Sequence, residues 1–370
     1  MNHNGNIPAL SVEESVKMLS ESYISAISAG LSPKLLPSVM LWGAPGVGKS
    51  QAVRQIAREI EEKTGKRCHV TDVRLLLFNP IDLRGIPTAN EDKTLAVWLK
   101  PQIFQMDEDE GVVNILLLDE ISAAPQSVQA AAYQITLDRV VGEHRLPDNC
   151  IVIAAGNRVT DRSVAFKMPR ALANRLCHIE IQSNLDSWKR WAIAKGIHSK
   201  VVGFLSFRPD LLMEPDGVSA ENLAFPTPRS WEMVSNYLNL VSEDVDKLYP
   251  LIAGCVGAGV AVEFRTYCEA YDGLPLMEDV FAGRPCQMPK GNDAMYALVS
   301  AMTAYAREHK DDLKQIRNSI LFAGKMPVDF STVLMRNYLS IEKNYREKLM
   351  RIPEFMRWMQ TKGRLLNGSV

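Results

Sequence analysis

Residues Gly43, Ala44, Pro45, Gly46, Val47, Gly48, Lys49 and Ser50 follow the pattern G-x-x-x-x-G-K-S, and each type in it has a physical reason to face a phosphate. The glycines let the backbone fold so tightly that several amide N–H groups converge on one anion. The helix that follows adds the positive end of its dipole. Lys49 would then reach the β- and γ-phosphates of a nucleoside triphosphate, and the Ser50 hydroxyl would ligate Mg²⁺. Gln51 is the next residue beside the bound phosphates. A chance match in a chain of 370 residues arises about one time in a hundred. Here the run also has an apolar stretch before it and a helical pattern after it, the context that separates a phosphate loop from a glycine-rich turn.

The second cluster is Ile115, Leu116, Leu117, Leu118, Asp119 and Glu120. An apolar strand ending in two carboxylates puts them at the carboxyl edge of a parallel sheet, where ligands of open α/β folds sit. Asp119 would hold Mg²⁺ through water, and Glu120 would act as general base on an attacking water. A plainer role for the pair is to cap the helix that begins near Pro125. Asn157 closes the apolar run 151–156. Its amide either orients the water or serves a turn after the strand, and the residues leave both readings open. Arg170, Arg175 and Arg229 supply guanidinium groups of the kind that stabilise charge on a γ-phosphate, in cis or from a neighbouring subunit. Taken alone, they are no different from other solvated arginines.

The elements that must position these groups are periodic. An amphipathic helix is expected over 11–28, with Ser11 as its cap and Glu13 and Glu14 in the first turn. Strands are expected over 39–42, 69–76, 114–118, 150–155 and 176–181, and helices over 51–62, 125–137 and 170–174. Residues 79–98 read as a long loop or small hairpin insertion, and 139–146 as a hairpin around Gly142. This alternation implies an α/β fold, a P-loop-type parallel sheet sandwiched by helices. After about residue 183 the pattern becomes helical, with segments at 188–194, 201–207, 230–240, 248–269, 294–309 and 331–350. The expected organisation is therefore an N-terminal helix (1–34), an α/β nucleotide-binding domain (35–183), an all-α lid (184–272) and a helical C-terminal extension (273–370), the last boundary softened by the prolines within 273–291.

Bulk properties exclude several classes. Lysine plus arginine number 42 against 43 aspartate plus glutamate, a net charge of −1, and no basic stripe stands out. That is not the balance of a dedicated nucleic-acid binder. The six cysteines form no CxxC pair, which fits a reduced, cytoplasmic protein with no metal site beyond Mg²⁺. No basic leader or bilayer-length apolar run is seen. Trp188, Trp191 and Trp231 are expected to pack the helical region, and Met326, Met335, Met350, Met356 and Met359 to fill its core.

The order of these motifs resembles an AAA+ ATPase of the MoxR-like branch. Four stretches carry the resemblance, which spans roughly 35–240: 79–85 (NPIDLRG), 118–125 (LDEISAAP), the hairpin through Val140, Val141, Gly142 and Glu143, and Thr227, Pro228 and Arg229. The resemblance implies ATP and Mg²⁺ as ligands, Asn157 as the sensor that orients water, Arg229 as a second sensor acting in cis from the lid, and Arg175 as an arginine finger acting in trans, with Arg170 the second choice. It further implies a hexameric ring that remodels a partner protein, often a von Willebrand A-type protein, with the inserts at 79–98 and 139–146 facing the pore or the partner. A DNA-acting motor, a slow nucleotide switch and a small-molecule kinase are the alternatives. The chain departs from the family in Ser122 and Ala123, where asparagine and arginine are common, and in Arg170, where an acidic residue is common.

Overall fold

Apolar runs joined by helical crossovers must pair as a parallel sheet buried on both faces. The computed structural model builds that sheet in the first of two units, Met1–Ser183 and Asn184–Val370. It describes residues 7–158, 168, 173–214, 223–342 and 344–362. In chain order the first unit runs β1 (Ala9–Ser11), α1 (Val12–Ser28), β2 (Val39–Trp42), α2 (Lys49–Thr64), β3 (Arg67–Arg74), α3 (Pro80–Arg84), β4 (Ile86–Ala89), β5 (Ala96–Leu99), β6 (Val112–Asp119), α4 (Gln126–Asp138), β7 (Val140–Val141), β8 (His144–Arg145), β9 (Cys150–Gly156) and β10 (Cys177–Gln182).

The main sheet has the order β1-β10-β2-β9-β6-β3, and every pairing in it is parallel. β9 is buried along its whole length and β6 up to Leu118, as interior strands of such a sheet must be. Five strands were expected; the sixth is β1, three residues long and too short to show a period. The helix expected from Ser11 starts at Val12. Ser11 caps it by accepting from the Glu14 N–H, while the Glu14 carboxylate accepts from the Ser11 N–H, a capping box. The insertion at 79–98 resolves into the short helix α3 and the antiparallel hairpin β4–β5. The hairpin read at 139–146 is β7–β8. The short helix read at 170–174, with Arg170, lies mostly outside the described residues.

The second unit is helical: Leu185–Lys195, Ser199–Phe207, Pro228–Leu240, Val245–Val256, Ala258–Asp272, Met277–Ala282, Asn292–Glu308, Leu313–Ala323, Val328–Leu339, Tyr345–Leu349 and Pro353–Lys362. Its core contains Trp188, Phe204, Trp231, Phe264, Met335, Tyr338 and Phe355, so residues on both sides of 273–291 share one cluster. Two long helices read from the sequence are each divided. The one at 248–269 breaks at Gly257, whose φ of 88° leaves the helical region. The one at 331–350 breaks before Asn344, with φ 69°. Three helices, at Met277–Ala282, Leu313–Ala323 and Pro353–Lys362, went unread. Trp188, Trp231, Met326 and Met335 are buried as expected, but Met350 is exposed. Among the described residues no helix is long and apolar enough to cross a membrane.

Candidate functional site

The loop between β2 and α2 is made by glycine. Gly46 and Gly48 have φ of 78° and 111°, values that L side chains rarely adopt. At Gly43 a Cβ would lie 2.6 Å from the Ile181 carbonyl oxygen, so that position admits no side chain. α2 begins at Lys49 with no side-chain cap, which leaves its first amides to an outside acceptor. Lys49 is 8% exposed, and its Nζ donates to the Gly43 carbonyl (2.6 Å), the Ala44 carbonyl (3.2 Å) and Asn157 Oδ1 (2.8 Å).

β6 delivers the carboxylates to the same edge. Ser50 Oγ donates to Asp119 Oδ2 at 2.6 Å, joining the two motifs across 69 residues. Asp119 Oδ1 accepts from the Glu120 N–H at 2.8 Å. Glu120 itself sits in the left-handed region, φ 59°. For a residue with a Cβ that conformation costs about 1 kcal/mol or more, and the Ala123 and Ala124 N–H groups hold it by donating to the Glu120 carbonyl. One edge thus combines an ammonium, a hydroxyl, two carboxylates and a carboxamide beside a glycine loop, a set suited to a triphosphate and a hard divalent cation.

Residues 38–178 match the sequence model of the ATPase family associated with various cellular activities (AAA). No curated protein matches the chain. Solved structures that resemble it include a mutant RuvB of Thermotoga maritima (17% identity, 80% of this chain and 84% of that one, TM-score 0.35). They also include NtrX of Brucella abortus (15%, 91% and 70%, TM-score 0.34) and a closed state of Hsp104 with ATPγS and FITC-casein (16%, 70% and 46%, TM-score 0.34).

The same edge of the first unit holds further contacts that the sequence reading missed. Buried Ser122 accepts from the Asn157 N–H through its Oγ at 2.9 Å, tying the turn after Glu120 to the end of β9. Gly156 makes room for it, since a Cβ there would lie 2.8 Å from Ser122 Oγ. Arg158 Nη1 donates to the buried Glu180 carboxylate at 2.5 Å, and Gln182 Nε2 donates to the same oxygen at 3.1 Å. This ion pair fixes the chain just past Asn157. Ser122 and Asn157 lie 35 residues apart and Arg158 and Glu180 lie 22 apart, so no local spacing announces either contact.

The arginines lie elsewhere. Arg175 is exposed and stands two residues before β10, at the amino edge of the sheet. Cys177 pairs with Val39, whereas the glycine loop leaves β2 after Trp42, which pairs with Glu180. Roughly 13 Å of strand therefore separates the Arg175 turn from the level of Gly43. Arg175 instead lines a cavity of about 450 Å³ at that amino edge with Lys34, Asp138, Arg139, Arg145 and Asp148. Arg139 is held there by the Cys150 and Leu36 carbonyls, and burial lowers its pKa. Arg229 belongs to the second unit, exposed in the first turn of the helix that Thr227 caps. Arg170 lies outside the described residues.

Proposed function

We propose that the chain is a MoxR-like AAA+ ATPase that hydrolyses ATP with Mg²⁺ and works as a ring, with ATP bound at the interfaces between subunits, to remodel a partner protein in the cytoplasm. The observation that carries this reading is the meeting of Lys49, Ser50, Asp119 and Asn157 at the carboxyl edge of the sheet, with Arg175 at the opposite edge.

The residues fit Mg²⁺. Ser50 Oγ and Asp119 Oδ2 are hard oxygen donors already 2.6 Å apart, and a small cation of this kind takes such oxygens with phosphate and water. When bound, it would neutralise charge on the β- and γ-phosphates. Lys49, now satisfied by carbonyls and Asn157, would exchange these partners for phosphate oxygens. Glu120 would take a proton from the attacking water, and Asn157 would orient that water. Because Arg175 cannot span the strand to its own loop, its guanidinium would serve the triphosphate of the next subunit, as an arginine finger does. Arg229 would act in cis from the lid that we assign to 184–272, with 273–370 as the extension. The exposed β4–β5 hairpin, with Ile86, Leu95 and Leu99 in solvent, would meet the partner, for which a von Willebrand A-type protein is the first candidate.

Phosphate release measured against protein concentration tests this. Turnover per subunit should rise as subunits assemble, with DNA giving no stimulation. Turnover independent of concentration would contradict the shared site, and a steep, salt-sensitive stimulation by DNA would replace the protein-remodelling reading with a DNA motor.

A further inference from the structure

Trp42 is the last residue before the glycine loop, and His178 is the second residue of β10. Their rings are nearly parallel and meet edge to edge, with centroids 6.0 Å apart and an interplanar angle of 15°. Trp42 Nε1 donates to His178 Nδ1 at 2.9 Å. On its other side His178 Nε2 contacts the Ala173 carbonyl at 2.7 Å. An indole N–H can only donate, so Nδ1 accepts, and Nε2 carries the proton given to Ala173. The tautomer is fixed by its two partners.

Ala173 is not an arbitrary end point. Its carbonyl also accepts from the Leu176 N–H at 3.3 Å, closing the turn that contains Arg175. The imidazole therefore pins the Arg175 turn from one side and is pinned from the other by the residue that leads into the phosphate loop. Lys49 holds that loop at the Gly43 carbonyl. A continuous chain of contacts thus runs from Lys49 through Gly43, Trp42, His178 and Ala173 to the turn at Arg175, from the carboxyl edge of the sheet to its amino edge. The side chains of a parallel sheet make this possible. His178 pairs with Met40 and Glu180 with Trp42, so Trp42 and His178 are diagonal neighbours on one face.

We propose that Trp42 and His178 form a positioning relay that ties the nucleotide loop of one subunit to the arginine turn it presents to the next. The proposal rests on the reading of Arg175 as a trans-acting group. Neither ring touches the reacting atoms; the relay acts through the aim of Arg175.

His178→Phe keeps an aromatic ring of similar size and removes both hydrogen bonds. Its kcat for ATP should fall about tenfold, with KM and the affinity for a fluorescent ATP analogue within twofold of the wild type. Mixed with Glu120→Gln subunits, which carry an intact relay, it should hydrolyse ATP well above the sum of the two proteins alone. Trp42→Phe, which loses the indole N–H and part of the ring, should show the same pattern at about a threefold loss of kcat and serves if His178→Phe does not fold. Unchanged kcat in the variant that folds, or a loss that mixing does not relieve, overturns the relay. Arg175→Ala mixed with Glu120→Gln is the control. If that pair fails to complement, the trans reading of Arg175 is wrong and takes the relay with it. If it complements and His178→Phe does not, only the relay is wrong.

Discussion

The two units of the chain use buried polar groups in opposite ways. In the first unit one set of them converges on the carboxyl edge and is strained or left ready to exchange partners. Lys49 is spread over three oxygens, and Glu120 holds a left-handed backbone. In the second unit they are consumed by packing. His198 accepts from the Lys200 N–H, Tyr338 donates to Ser319, and Asn337 donates to Thr303, all around an aromatic core. Burial and hydrogen bonding alone do not mark a site. What marks it is convergence at a strand edge together with backbone that only function would retain.

Changes at the edge should therefore cost activity, and changes in the helical unit should cost stability. The largest effect expected is in Glu120→Gln, with kcat reduced at least about a hundredfold while the melting transition of the protein stays in place. Equal losses of turnover and of melting temperature would erase the distinction. Glycines give the next test. Gly43→Ala puts a Cβ 2.6 Å from backbone and should weaken nucleotide binding by about 2 kcal/mol, roughly thirtyfold. Gly254, in the helix Val245–Val256, has nothing within 4 Å of such a Cβ, so Gly254→Ala should instead stabilise by about 0.5–1 kcal/mol. Binding titrations and denaturant melts read the two signs.

Acid should act on the second unit through His198. Burial pushes its pKa down to about 4, below the ordinary value of about 6.5. The unfolded chain then binds more protons between those values. The stability contributed by the neutral ring is complete above about pH 6.5 and is lost as pH falls toward 4, on the order of 2 kcal/mol by pH 5. Melts between pH 7 and 5 should show this slope, and His198→Gln should flatten it. The smallest effect is Ser122→Ala, which removes the acceptor of the Asn157 N–H. About 1 kcal/mol is at stake, so kcat should fall about fivefold with KM unchanged. A shift in KM alone would place Ser122 in binding rather than in aiming Asn157.

Much of the first unit was legible because its signals are local. The strand Val39–Trp42 matched its reading residue for residue, and the glycine loop, Asp119 and Glu120 fall where an apolar run meets a fixed pattern. Asn157 was left open between a turn and a site; its contact with Lys49, 108 residues away, is tertiary and has no local trace. Ser122 and the Arg158–Glu180 pair were invisible for the same reason. In the second unit, period alone could not see that Gly257 ends one helix and starts another, because both flanks carry the same apolar repeat. β1 was lost to its three-residue length.

The most direct test of a shared site is complementation. Arg175→Ala and Glu120→Gln subunits should each hydrolyse ATP poorly. An equimolar mixture should hydrolyse well above the sum of the two, because a site with an intact Glu120 then meets a neighbour with an intact Arg175. A mixture no more active than its parts, under conditions where the wild type assembles, would contradict the account.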